Sequence, residues 1–314
     1  MITQKYPLCY YILNQNEGKT MQIIKLMGGL GNQMFQYALA KAIGEEVLFD
    51  ISWFEKENKL KDLDHLNIEL QNFNTSLKIA TEEQIKYCLN ENSITYGINK
   101  IFRRFQTKIL PSNRIYEKII NKYQADLIDN SNDRYYEGFF QSTFYFNGVR
   151  DILLKDFTLS KNLESENEKM LYEIQNTNSI SISVRHGIDY INLGWDLKAD
   201  YYNKAMDYME EAVEDPTFYL FSDDIEWCKK VLNMQKHNVI IANSKDENCS
   251  YACGIYLMSK CMHNIISNST YPWWGAWLNN NHNKIVIMPQ KWISIKSHLK
   301  TIYDELYCDN WIRL

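Results

Sequence analysis

The stretch MQIIKLMGGLGNQMFQYALAKAIG, residues 21–44, decides how the rest of the chain is read. A short apolar run from Met21 to Leu26 meets three glycines, Gly28, Gly29 and Gly31, and an amphipathic segment follows at once. The pattern predicts a strand over 22–26, a glycine-floored turn, a helix over 32–43 and a second strand in EVLFD, Glu46 to Asp50. That is a βαβ opening. Glycine lets a backbone approach a ligand closely, and the helix that follows offers free N–H groups and partial positive charge. Asn32 and Gln33 add side-chain amides at the helix start. The spacing is GGxG rather than GxGxxG, and no acidic residue is firmly placed at the ribose-binding distance. A phosphate cradle and a plain tight turn are both open on this evidence alone.

Outward from this unit, short apolar runs alternate with longer amphipathic segments, which predicts an α/β architecture. Residues 55–135 are irregular and polar, with helices expected over 81–89 and 114–123, and RYYEGFFQS (134–142) reads as a strand ending in a polar loop. A charged helix is expected between about 156 and 178, and a domain boundary near its start. A second α/β set follows, with strands over 179–184, 217–222, 238–243, 263–268 and 284–289 and helices over 200–214, 224–232, 247–261 and 273–280. The expected organisation is an extension over 1–20, an N-terminal α/β domain over 21–155 and a C-terminal one over 156–314. Met21 directly precedes the first convincing strand, so residues 1–20 read as a loosely attached extension or as lying ahead of the natural start.

Composition narrows the function classes. A net charge of −5 lacks the basic footprint of a nucleic-acid binder, while leaving room for a local site that takes one small phosphate ligand. No apolar run approaches the roughly 20 residues of a membrane span, and the first twenty residues lack the basic start and apolar stretch of a signal peptide. Seven cysteines are an odd number without CxxC spacing, which favours reduced thiols in a cytosol over a disulfide framework. Cys249, Cys253 and Cys261 recur at helical spacing and are expected to pack, with no histidine nearby to complete a metal site. The expected location is cytoplasmic, with at most peripheral contact at an inner membrane; oligomeric state is not legible.

Three more segments carry chemistry, each at an expected strand end, where open parallel sheets bind ligands. In SVRHGIDY (183–190), Arg185 can aim a planar donor fork at a phosphate, and Asp189 can orient it or act as a base; a surface ion pair is the plainer reading. In FSDD (221–224), Ser222 or Asp223 fits a helix N-cap, while a carboxylate there could also hold a nucleobase edge or ribose. In SNSTYPWWGAWL (267–278), Ser267, Asn268, Ser269 and Thr270 precede a helix and form a second candidate anion cradle. Trp273, Trp274 and Trp277 behind them are expected to be mostly core.

Taken together, GGLGNQMFQYALA, SVRHGIDY and SNSTYPWWGAWL, in this order and at these separations, resemble the glycosyltransferase family 11 fucosyltransferases, best known as α-1,2-fucosyltransferases. GFFQS (138–142), DYYNKAMDYM (200–209), FYLFSDD and KIVIMPQKWI (284–293) support the likeness, which covers residues 21–295. The resemblance implies a GT-B-like fold of two Rossmann-like domains facing a cleft. It also implies GDP-β-L-fucose as donor, inversion at the anomeric carbon, no required metal or cofactor, and a glycan acceptor, most often the 2-OH of a β-galactoside. By motif position, Arg185 is the phosphate-binding arginine, and the donor site draws on Gly29, Gly31, Asn32, Gln33, Ser222, Asp224, Ser267, Asn268, Ser269 and Thr270. The family pattern HxRRGDY is altered here. Ser183 replaces the first His, His186 the second Arg, and one residue is inserted before Asp189. Asp189 is nevertheless the first candidate for the base, with Glu137 behind it, and His186 is expected to line the pocket. A degenerate nucleotide-sugar-binding protein of the same fold is the alternative; a nicotinamide dehydrogenase would need the GxGxxG loop that is missing.

Overall fold

The computed structural model describes residues 20–57, 67–102, 110–117, 122–128, 131–292 and 304–314. The opening unit forms as expected: strand β1 (Gln22–Lys25), helix α1 (Leu30–Ile43) and strand β2 (Leu48–Asp50). The helix begins two residues early, because Gly29 in extended conformation is its N-cap and its carbonyl accepts from the Asn32 and Gln33 N–H groups at 2.9 and 3.1 Å. Helices α2 (Glu82–Leu89) and α3 (Ser93–Phe102) and strands β3 (Arg114–Tyr116) and β4 (Arg134–Glu137) complete a four-stranded sheet, order β2-β1-β4-β3, parallel throughout. Thr81 and Gln84 close a reciprocal capping box at the start of α2. The helix expected over 114–123 is not formed: Arg114–Tyr116 pairs with β4, and 118–121 lie outside the described residues. The β-branched Ile115 and the aromatic Tyr116 suit a strand, and β4 supplies the partner edge that local periodicity cannot reveal.

The second half is wholly parallel as well. After α4 (Arg150–Asp156) and α5 (Ser165–Gln175) come β5 (Asn178–Val184), α6 (Ile188–Leu193), α7 (Ala199–Ala212), β6 (Pro216–Ser222), α8 (Ile225–Val231) and β7 (Asn238–Ile241). Then follow α9 (Ala252–Lys260), β8 (His263–Ile265), α10 (Thr270–Leu278), β9 (Val286–Met288) and β10 (Ile312–Arg313). The six strands run in the order β10-β9-β8-β5-β6-β7. The charged helix expected between about 156 and 178 is α5, which begins only at Ser165; Phe157 and Leu163 ahead of it are buried in the core. The helix expected to begin at 247 begins at Ala252, since the Asp246 carboxylate accepts from the N–H groups of Asn248 and Cys249 and holds the chain in a turn. Two parallel α/β sheets with helices on their faces make the chain α/β and GT-B-like.

The central strand β5 explains its own alternation of Ser and Ile. Ile180, Ile182 and Val184 pack with Tyr202, Met206 and Met209 of α7. The serines face the other way, where Asn264 Nδ2 donates to Ser181 Oγ at 2.7 Å. The two halves are joined along α1 and α10. Phe35 meets Trp273 and Trp274 at ring separations of 4.8 Å each, and Trp274 Nε1 donates to the Gly31 carbonyl at 2.9 Å. Burying one such indole removes water from some 150–250 Å², an upper bound of about 4–6 kcal/mol per ring against an extended chain. The expectation that the tryptophans are core holds for all three.

The helically spaced cysteines pack too: Cys249, Cys253 and Cys261 are buried. Burial pushes the Cys253 thiol up to about 12 and the Cys308 thiol up to about 11. Relative to a free thiol near 8.5, such groups hold over a hundredfold less thiolate at pH 7.5. Iodoacetamide at that pH should therefore spare Cys88, Cys228, Cys249, Cys253, Cys261 and Cys308 in the native protein and modify them all in guanidinium chloride, a contrast that peptide mass mapping reads directly. No described helix is long and apolar enough to cross a membrane.

Candidate active site

The sequence motifs fall at the carboxyl ends of β1, β5, β6 and β8, the places where a parallel sheet leaves backbone and side chains free for a ligand. Arg185 leaves β5 and is held by two carboxylates. Its Nη2 donates to Asp189 Oδ2 at 2.5 Å, and its Nη1 donates to Asp223 Oδ2. The ring of Tyr190 lies beneath the guanidinium, 4.8 Å from centroid to Cζ. Burial alone would lower the arginine's pKa, but Asp223 and then Asp189 more than offset it and hold it above the ordinary value. Asp189 follows the inserted residue and pairs with Arg185. Gly187 caps the short helix α6, Ile188 opens it with its side chain outside, and Asp189 lies one turn on from Arg185.

His186 and Asp224 form a second tier. The His186 N–H donates to Asp223 Oδ1 at 2.7 Å, while its ring Nδ1 meets Asp224 Oδ2 at 2.9 Å and its face stacks on Trp227 at 4.1 Å. Asp224, rather than Ser222 or Asp223, is the N-cap of α8: its Oδ1 accepts from the Trp227 N–H at 2.9 Å. That hydrogen bond, followed by the His186 imidazole, holds the Asp224 carboxyl below the usual carboxylate range. Ser222 Oγ accepts from the Asp224 N–H at 3.0 Å and shapes the turn. Asp223, outside the sequence-derived site, is the second carboxylate that pairs with Arg185. Two adjacent aspartates at a strand end were the only signal, and they do not say which one turns inward.

The fourth strand end brings the halves together. Ser269 caps α10, its Oγ accepting from the Tyr271 N–H at 3.4 Å. Thr270 Oγ1 donates to Asn32 Oδ1 at 3.2 Å, and Gln141 Nε2 donates to the same oxygen at 2.8 Å. Asn32, Gln141 and Thr270 thus meet where the N-termini of α1 and α10 converge. The residue before Gln141, Phe140, is fully buried with φ at 54°, a left-handed backbone that swings the chain out of β4 toward this junction. Gly31 permits the approach, because a Cβ there would stand 2.6 Å from the Thr270 carbonyl carbon. Gly29 has no such neighbour. Asn268 and Ser267 lie behind the cap. The Asn268 amide donates to the Trp195 carbonyl at 2.8 Å, and Ser267 Oγ and Asn268 Oδ1 are buried without hydrogen-bond partners among the described residues.

Two expected site residues are spent on structure. Gln33 is fully buried, its amide donating to Gly28 O at 3.0 Å and Asn67 O at 2.8 Å while its oxygen accepts from the Glu69 N–H at 3.0 Å. It ties the glycine turn to the 67–69 loop. Gln33→Leu strands those three backbone groups and should lower stability by about 2–4 kcal/mol in a denaturant titration, at one to three per unpaired group with partial relaxation. Glu137 is paired with Arg114, which also binds Glu91 in a largely buried cluster. Among the described residues, no three His, Cys, Asp or Glu side chains gather as a metal group.

Residues 3–314 match the model of Glycosyl transferase family 11. The chain is 33% identical over 312 residues to the O-antigen biosynthesis glycosyltransferase WbnK of Escherichia coli, covering 92% of this chain and 99% of the relative. An Escherichia coli alpha-1,2-colitosyltransferase is 33% identical over 299 residues, 86% of this chain and 91% of its own length. Galactoside 2-alpha-L-fucosyltransferase Sec1 of Mus musculus is 30% identical over 147 residues, 43% of this chain and 39% of that protein.

Proposed function

We propose a reaction from one premise: the chain belongs to glycosyl transferase family 11 and is a glycosyltransferase. The reaction is inverting, metal-independent transfer of L-fucose from GDP-β-L-fucose to a glycan hydroxyl, in the simplest case the 2-OH of a β-galactoside. The acceptor oxygen bonds the anomeric carbon as the bond from that carbon to the diphosphate oxygen breaks. The hydroxyl proton leaves to a base, and GDP departs with the added negative charge. The half containing β5 to β10 holds the donor, and the half containing β1 to β4 faces the acceptor.

One observation carries this reading. Arg185 follows β5, Ser269 and Thr270 follow β8 and Asn32 follows β1, and Tyr190, over which Arg185 lies, donates to the Asn268 carbonyl beside Ser269, so a charged fork, two hydroxyls and two converging helix N-termini from three strand ends share one seam. Groups of that kind are what a departing diphosphate requires when the protein supplies the stabilisation. Asp189 and Asp223 hold Arg185 at the seam until the diphosphate draws it away. That exchange frees the Asp189 carboxylate, the candidate base, as the donor is seated. His186, stacked on Trp227, and Asp224 beside it form the wall that receives the guanosine.

The colitosyl-transferring relative favours a second donor for the same site. Turnover with lactose as acceptor, in EDTA, separates the cases. Acceptor-dependent GDP release from GDP-fucose supports fucosyl transfer. Release only from a GDP-colitose donor replaces fucose with colitose. Binding of neither donor overturns the reading.

A further inference from the structure

The other end of α10 lies away from the seam. The helix has nine residues, so its last carbonyls stand about 13 Å from its N-cap. A cavity of about 290 Å³ opens there, walled by Arg150, Lys284, the indoles of Trp277 and Trp311, and the carboxamides of Asn280 and Asn310. Among the described residues that line it there is no Asp or Glu.

Both cations are fixed by the helix end. Lys284 Nζ donates to the carbonyls of Ala276 and Asn279 at 2.8 and 2.6 Å. Arg150 Nη2 donates to the Trp277 carbonyl at 2.9 Å, with the guanidinium 4.2 Å over that residue's ring. Helix C-terminal carbonyls attract cations, and this explains the placement. It does not balance the charge. A helix end carries about half an elementary charge, against two full positive charges. Asp151 acts on Arg150 from outside and contributes no wall. Burial, and then the neighbouring Arg150, push the Lys284 ammonium down to about 8, the direction expected of an uncompensated cation. Arg150 still has N–H groups with no acceptor among the described residues.

The space exceeds a bare ion and sits at the low end of small-molecule sites. Its walls suit a hydroxylated body: carboxamides donate and accept, and His282 adds a polar edge. We propose that this cavity binds a monosaccharide-sized anion, a sugar bearing a carboxylate or phosphate, with Arg150 and Lys284 on the charge and the asparagines on the hydroxyls. The site is separate from the seam and does not depend on the donor assigned there.

Calorimetric titration of the full chain, with GDP present to occupy the seam, tests it. The probes are glucuronate, glucose 6-phosphate, inorganic phosphate and galactose, added to the wild type, Arg150→Gln and Asn310→Asp. Asn310 is exposed and has no hydrogen bond among the described residues, so Asn310→Asp adds a negative charge to the wall without removing a contact. The expected result is binding of an anionic sugar, none of galactose, and at least tenfold weaker binding in both variants. Glucuronate alone would identify an acidic glycan residue as the source, and glucose 6-phosphate alone a sugar phosphate. The proposal is overturned if neither anionic sugar binds, if inorganic phosphate binds as tightly as both, or if affinity survives both substitutions.

Discussion

Arg185→Ala should lower kcat/KM for GDP-fucose by about a hundred- to a thousandfold, the loss of one leaving-group donor worth roughly 2.7–4 kcal/mol of barrier. The fold should survive. Asp189 and Asp223, the two carboxylates that lose their partner, keep side-chain exposures of 55% and 27%, so water takes over much of what the arginine did. A thermal midpoint close to wild type is therefore part of the expected result, and it separates a lost phosphate ligand from a lost structure. Arg185→Lys keeps the charge but not the planar fork, and should recover only part of the rate. An Arg185→Ala variant that turns over at the wild-type rate would remove Arg185 from the chemistry.

Gly31→Ala is expected to have the second-largest effect, on stability and activity together. The new Cβ would meet the Thr270 carbonyl carbon and Oγ1 at 2.6 Å and the Tyr271 nitrogen at 2.8 Å. Backbone atoms cannot swing aside as a flexible side chain can, so α1 and α10 must separate. Overpacking of this kind costs typically 1–3 kcal/mol, a fall in midpoint of about 2–4 °C per kcal/mol for chains of this order of size. The hydrogen bond of 3.2 Å between Thr270 and Asn32 should break with it, taking activity down beyond the stability loss. Gly29→Ser is the internal control. Gly29 is an N-cap with open space around its Cβ position, and serine is a preferred N-cap, so stability should move by less than about 0.5 kcal/mol. Equal losses in the two variants would mean that the turn, rather than the seam, requires its glycines.

Much of the architecture was legible in the chain itself. The alternation of apolar runs with amphipathic segments gave both parallel sheets, because a strand's period and a helix's period are local properties of side-chain spacing. The motifs at 28–33, 183–190, 222–224 and 267–270 stood at strand ends for the same reason, and their order carried the family. Short elements such as β3 were missed, since three residues have no period and only the neighbour β4 makes them a strand.

Local pattern in the chain sets which residues are delivered to the carboxyl ends of β1, β5, β6 and β8. The direction each one faces comes from tertiary packing. Asp223 and Asp224 are chemically identical neighbours, yet one reaches Arg185 across 38 positions and the other caps α8. Gln33 and Asn32 are adjacent amides at one helix start, yet one is fully buried in the fold and the other reaches Thr270 across 238 positions. Two glycines of one turn differ as sharply, Gly31 pressed against another helix and Gly29 against nothing. The physical reason is common to all three pairs. Orientation is set by contacts between segments far apart in the chain, and a local pattern contains no information about what will be packed against it.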